Sequence, residues 1–166
     1  MSIAFYPGSF DPITLGHLNI IRRSSLLFDK LYVCVMVNSA KNPLFSAQER
    51  VELIERTVKH LGNVVVDTSS DLVVKHAKEL GAGVIIKGLR AISDFDKEFQ
   101  MALANKIIAP QIETLFMTSS SKYTYLSSTV VKEMARYGTD LSEFVPHQII
   151  DDIVRKMQNS EMRAKQ

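Results

Sequence analysis

The segment Tyr6-Pro7-Gly8-Ser9-Phe10-Asp11-Pro12-Ile13-Thr14-Leu15-Gly16-His17 gathers two hydroxyls, Ser9 and Thr14, and one imidazole, His17, in a turn stiffened by Pro7 and Pro12 and loosened by Gly8 and Gly16. The apolar Ile3-Ala4-Phe5 before it reads as a strand, and Leu18-Asn19-Ile20-Ile21 after it reads as a helix. A strand, a tight turn and a helix N-terminus point free N–H groups and the positive end of a helix dipole at one spot, which suits an anion. Thr14 and His17 are three apart and share a helical face. Phosphate chemistry is what these residue types support.

Other sets fit the same chemistry. Lys87 and Arg90 straddle Gly88 directly after the apolar Val84-Ile85-Ile86, and two cations so spaced suit a polyphosphate. Ser127, Ser128 and Thr129 open a further helix; one hydroxyl is spent as the cap, and the others are expected to meet phosphate. Lys41 stands in the polar loop 38–44. His60, His76 and His147 lack such company and read as surface residues. Gly81-Ala82-Gly83 precedes a strand instead of following one, so it is no dinucleotide fingerprint, and no Walker A sequence occurs.

The elements that must position these groups follow from periodicity. Helical spacing runs from Thr14 to about Phe28, and residues 31–37 are a β-branched-rich run, as in a strand covered on both faces. Ser46-Ala47-Gln48-Glu49 is a capping box, with Val51, Ile54, Val58 and Leu61 after it and Gly62 as the expected stop. Residues 64–66 form a third strand, and Ser70 or Asp71 is expected to cap a short helix ending at Gly81. Residues 84–86 form a fourth strand, with 87–90 leaving its end. Phe95, Phe99, Leu103 and Ile107 give the buried face of the next helix, which Pro110 closes. Residues 113–117 make a fifth strand, a helix follows from Ser127, and the last helix starts at about 146 with a tail expected to fray after about 160. Regular alternation of strand and helix predicts an α/β fold: a single domain over 1–166, a doubly wound five-stranded parallel sheet with helices on both faces. The 9–17 turn, the Lys41 loop, residues 87–90 and the Ser127 turn all follow strands, so all should meet at one rim.

Composition narrows the class. The chain has 166 residues, 46% hydrophobic and 23% charged, which is globular. A net charge of +2 gives no ground for nucleic acid or an anionic membrane as partner. Pro7 and Asp11 interrupt the N-terminus before any long apolar stretch, so neither a signal peptide nor a membrane span is expected, and the reading is cytoplasmic. The single Cys34 sits in an apolar run and is expected to be buried; it offers no disulfide and no zinc cluster.

Thr14-x-Gly16-His17 resembles the (H/T)xGH signature of the nucleotidyltransferase superfamily, and Leu126-Ser127-Ser128-Thr129 resembles its ISSS/T signature. With Pro7-Gly8-Ser9-Phe10-Asp11-Pro12-Ile13-Thr14, Gly88-Leu89-Arg90 and Ser127-Ser128-Thr129-Val130-Val131-Lys132-Glu133, the chain is similar to the bacterial phosphopantetheine adenylyltransferases up to about residue 157. The resemblance implies a Rossmann-like nucleotidyltransferase fold that moves AMP from ATP to 4′-phosphopantetheine. The products are dephospho-coenzyme A and pyrophosphate, on the route to coenzyme A. It implies ATP contacts from Ser9, Phe10, His17, Gly88, Leu89, Arg90, Glu98, Tyr123, Thr124, Tyr125, Leu126, Ser127, Ser128 and Thr129. Phosphopantetheine contacts would come from Ser9, Lys41, Val73 and Lys87, and a homohexamer is implied. Magnesium would be carried by the ATP phosphates, with no residue assigned as its ligand. Lys87 stands where the family usually has arginine, which keeps the charge but loses the two-pronged grip.

A phosphate monoester has its second pKa at about 6, so such an acceptor is already anionic at neutral pH and needs no general base. His17 and Lys41 then fall to the α-phosphate as catalytic groups, and Arg90 with the helix start at Ser127 to the β- and γ-phosphates. Two rival readings compete with this one. A mononucleotide acceptor, as in nicotinate mononucleotide adenylyltransferases, usually goes with HxGH, against which Thr14 argues. A non-catalytic nucleotide sensor, or more remotely a flavoprotein, would have no need of His17.

Overall fold

Strand β1 (Ile3–Gly8) lies at the centre of the molecule because its neighbours in the sheet are drawn from both halves of the chain. A computed structural model describes residues 1–40 and 42–164. After β1 come α1 (Leu15–Ser25), β2 (Lys30–Met36), α2 (Ala47–Val58), β3 (Val64–Ser69), α3 (Val73–Glu79), β4 (Val84–Leu89), α4 (Ile92–Ile108) and β5 (Glu113–Thr118). A 3-10 turn (Ser121–Tyr123), α5 (Ser128–Arg136), a second 3-10 turn (His147–Ile149) and α6 (Ile150–Ala164) complete it. The five strands are parallel in the order β3-β2-β1-β4-β5, as expected of the α/β alternation.

That order reverses between β1 and β4, and there the sheet opens. β1 pairs with β2 from Ile3↔Lys30 through Gly8↔Val35, but with β4 only at Ala4↔Val84 and Phe5↔Ile85. Beyond Phe5 the two central strands part, and their carboxyl ends frame a crevice of the kind that holds ligands in this architecture.

Alternation along the strands sorts the core into two layers. Ala4, Tyr6, Val33, Val35 and Ile86 pack with Leu18, Ile21, Ile54, Val131 and Ile153 from α1, α2, α5 and α6. Phe5, Cys34 and Ile85 face the other way, against Val74 and Ala77 of α3 and Ala109 and Ile112 after α4. Cys34 is fully buried, as expected, and burial beside Asp67 pushes its thiol up to about 12. No described helix is long and apolar enough to cross a membrane.

Several local expectations need correction. Leu72, not Ser70 or Asp71, is the N-cap of α3; Asp71 instead pairs with Lys75 at 3.3 Å. α2 stops at Val58, a turn before Gly62. Lys87 and Gly88 lie inside β4, which runs on to Leu89 because β5 supplies partners through Leu89↔Thr118. α6 remains helical through Ala164, past Ser160. His76 is not a plain surface residue: it meets Asp67 at 2.7 Å and the edge of the Phe5 ring at 5.8 Å. The largest departure is α4, where Phe95, Phe99, Leu103 and Ile107 are exposed instead of buried.

Candidate active site

The crevice between β1 and β4 widens into a cleft of about 650 Å³. Its walls come from the 8–17 turn, Asn38, Asn42 and Pro43 of the loop after β2, the end of β4 and the N-terminus of α5. Segments far apart in the chain thus meet at one rim, as the element pattern predicts.

The turn is held from beneath. Phe10 adopts φ 47° and turns its ring under Gly8, where an added Cβ would lie 2.8 Å from the ring. Only glycine admits that approach. The Phe10 ring meets Tyr6 edge-on at 5.4 Å and His17 at 5.1 Å, so it is buried and serves as the floor of the turn. Gly88 plays a similar part on β4, where a Cβ would come within 3.3 Å of the Tyr6 hydroxyl.

His17 is the third residue of α1, and Thr14 is its N-cap. The Thr14 hydroxyl accepts the His17 backbone N–H at 3.2 Å, while the Thr14 backbone N–H donates to His17 Nδ1 at 3.1 Å. This is a capping box with histidine in the place usually taken by glutamate. Thr14 is buried, so its hydroxyl serves the cap and not a ligand. Because Nδ1 accepts, the imidazole proton must reside on Nε2. Desolvation within the packed turn, with a smaller push from the Arg90 guanidinium, lowers the His17 pKa to about 4. A small part of the ring still opens on the cleft, which makes His17 a neutral N–H donor there at neutral pH.

Arg90 reaches across from β4. Its Nη1 donates to the Leu126 carbonyl at 3.0 Å and its Nε to Asp94 Oδ2 at 3.2 Å, tying the end of β4 to the segment that enters α5. Lys87 Nζ lies 3.0 Å from Glu98 Oε2 on α4. That oxygen is buried with no hydrogen bond of sound angle, so the contact is an ion pair only. At α5, Ser127 is the N-cap and accepts the Val130 N–H at 3.1 Å. Ser128 Oγ donates to the Pro12 carbonyl at 2.8 Å, so this hydroxyl ties α5 to the turn. Thr129 lines the cleft, exposed, and makes no side-chain hydrogen bond among the described residues.

Of the residues singled out from sequence, Ser9, Phe10, His17, Lys87, Gly88, Arg90, Glu98, Leu126, Ser127, Ser128 and Thr129 line the cleft. Val73, Leu89, Tyr123, Thr124 and Tyr125 do not. Lys41 lies outside the described residues.

Three charged residues went unremarked as site groups. Asp11 is buried, accepts the backbone N–H groups of Leu44 and Phe45 at 2.9 Å each, and pairs with Lys132 at 3.1 Å. Arg50, also buried, donates to the Ser9 carbonyl at 2.8 Å. The signals were present: Lys132 is four residues beyond Ser128 on one helical face, and Arg50 is four beyond the cap Ser46 beside apolar Val51 and Ile54.

The cytidylyltransferase-like family matches residues 5–134. A phosphopantetheine adenylyltransferase of Caldanaerobacter subterraneus subsp. tengcongensis is 53% identical over 96% of this chain and 100% of its own. Relatives of the same name in Clostridium tetani and in a Nostoc species are 54% and 55% identical, over 96% and 92% of this chain and 99% and 80% of theirs. Among solved structures, the Plasmodium falciparum nicotinic acid mononucleotide adenylyltransferase complexed with NaAD superposes with a TM-score of 0.67 at 16% identity, covering 93% of this chain and 95% of that one. That likeness is one of fold.

Proposed function

This chain belongs to the cytidylyltransferase-like family and, within it, to the phosphopantetheine adenylyltransferases, and from that premise we propose that its cleft moves AMP from ATP to 4′-phosphopantetheine, giving dephospho-coenzyme A and pyrophosphate. The observation that carries the proposal is the state of His17. An imidazole whose Nδ1 is engaged by Thr14 N–H, and whose basicity is suppressed to about 4, is a poor proton acceptor and a good neutral donor. The acceptor phosphate, with a second pKa of about 6, brings its own charge and asks for no base.

The residues divide the work accordingly. His17 Nε2–H donates to an α-phosphate oxygen as the pentavalent arrangement forms. Arg90 and the N–H groups at the start of α5 receive the β- and γ-phosphates, with the Thr129 hydroxyl beside them. Lys87 and Ser9 receive the incoming phosphate from the acceptor side, and Lys41 is assigned with His17 to the α-phosphate. The acceptor oxygen attacks the α-phosphorus, the bond to the bridging oxygen breaks, and pyrophosphate leaves as an anion without proton transfer.

Magnesium bound to ATP offsets part of the triphosphate charge. The cleft's carboxylates are engaged: Asp11 by Lys132 and backbone N–H groups, Asp94 by Arg90, Glu98 by Lys87. That donor set fits an ion carried by phosphate oxygens and water instead of a protein cage. We place the enzyme in the cytoplasm as a homohexamer, and the exposed apolar face of α4 supports contact with another copy.

The test is pyrophosphate release with ATP and either 4′-phosphopantetheine or nicotinate mononucleotide. Release is expected with the first alone, and His17→Ala should keep its fold while kcat falls roughly a hundredfold or more. Release with the mononucleotide, or near wild-type turnover of the variant, would overturn the reading.

A further inference from the structure

Among the described residues, chemistry-bearing side chains also converge outside the cleft. Cys34 of β2 stands in register with Asp67 of β3, and His76 of α3 reaches back to them. The Cys34 sulfur, an Asp67 oxygen and a His76 nitrogen all lie within 4.8 Å of one another. His76 Nε2 is 2.7 Å from Asp67 Oδ2, and Nδ1 is 3.4 Å from Glu79 Oε2. None of these residues lines the cleft, so adenylyl transfer gives them no task.

We propose that Cys34, Asp67 and His76 form a second site, for a divalent ion of the zinc class, with Glu79 orienting the histidine. The donor set is one thiolate, one imidazole and one carboxylate from separate elements, the ligand types zinc prefers. Around a tetrahedral ion with bonds of about 2.0–2.3 Å, donor atoms stand roughly 3.5 Å apart. His76 Nε2 and Asp67 Oδ2, now 2.7 Å apart, would open by less than 1 Å to take an ion between them, and the sulfur already lies within 4.8 Å of both.

The surroundings fit as well. A ligating histidine characteristically gives its other ring N–H to a carboxylate, which fixes its tautomer, and Glu79 stands at Nδ1 for that purpose. Exposure grades outward: Cys34 is fully buried, while the His76 and Asp67 side chains are 15% and 34% exposed. An ion enters past Asp67 and ends on sulfur. On binding, the Cys34 S–H proton leaves to water, His76 ligates as the neutral Nδ1–H tautomer, Asp67 ligates as carboxylate, and water fills the remaining position. A single cysteine offers no thiolate cluster, but as one donor of three it is sufficient.

The experiment is a cobalt(II) titration of the untagged full-length protein, stripped with chelator and free of nucleotide. One equivalent per chain is expected to give the visible bands of a tetrahedral ion and a thiolate-to-cobalt charge-transfer band, with zinc displacing the cobalt. Cys34→Ser and, should that variant fail to fold, His76→Gln should lose the bands. Glu79→Gln should weaken affinity by about 10- to 100-fold. Zinc should raise the Tm of the wild type and not that of Cys34→Ser. No thiolate band, or equal uptake by wild type and Cys34→Ser, would overturn the proposal and leave His76 and Asp67 as a structural ion pair. Pyrophosphate release does not enter this readout, so its failure leaves the adenylyltransferase reading untouched.

Discussion

His17 is uncharged at neutral pH, and that limits what it can do to a phosphate. A histidine near its ordinary value would arrive partly protonated and could trade protons; one lowered to about 4 by burial and Arg90 offers a fixed N–H dipole instead. The same shift links to stability. In the unliganded chain the folded imidazole stays neutral down to about pH 4, whereas the unfolded one protonates near the ordinary histidine value of about 6.5. Between these values the unfolded state binds more protons, so stability falls as pH drops through that window. NMR of the imidazole should show the Nε2–H tautomer unchanged from pH 8 to pH 5, and the urea midpoint should drop less over that range in His17→Gln than in the wild type. A His17 resonance titrating near 6.5 would refute the assignment. Sequence spacing placed Thr14 and His17 on one face, which is correct. It could not show that the threonine would be consumed in fixing the tautomer, because a capping box is normally read from glutamate or glutamine, not from histidine.

At the scale of elements, what matters is how separate pieces of chain are fastened around the cleft. Asp11 fastens three: its own turn, the 44–45 backbone through two N–H groups, and α5 through Lys132. Asp11→Ala leaves two inward N–H groups and an ammonium without their acceptor, and should cost about 3 kcal/mol in urea unfolding. It should also raise KM for phosphopantetheine, because Asn42 and Pro43, which line the cleft next to the 44–45 backbone, lose that anchor. The hydroxyls of α5 divide differently from one another. Ser127→Ala removes a helix cap and should cost about 1 kcal/mol of stability. Thr129→Ala should leave the urea midpoint in place and raise KM for ATP several-fold. Equal stability losses in the two variants would show that Thr129 has a structural role. The run of three hydroxyls is plain in the sequence, but their division of labour depends on the Pro12 carbonyl, which lies more than a hundred residues away in the chain and 2.8 Å away in space.

For the molecule as a whole, the alternation of apolar runs and turn residues was enough to foresee a five-stranded parallel sheet, and hence one rim where the polar turns gather. The strand order was not foreseeable, since either neighbour of β1 satisfies its apolar pattern. Periodicity also read α4 backwards in one respect: Phe95, Phe99, Leu103 and Ile107 have the spacing of a buried face, yet are 38%, 43%, 51% and 82% exposed. A periodic pattern reports that a face is destined for burial and is silent on whether the covering surface belongs to the same chain. Phe95 and Phe99 stack at 5.3 Å, and Phe95 meets Phe116 edge-on at 5.6 Å, so the face is ordered and continues onto β5. If another copy covers it, a carboxylate at its centre should be intolerable in the assembly and harmless within the fold. Leu103→Glu is therefore expected to shift the sedimentation coefficient from that of a multi-chain particle to that of a smaller species, with the far-UV spectrum and the thiol burial of Cys34 unchanged. Sedimentation identical to the wild type would mean that the face is covered by something other than a second copy, or left to water.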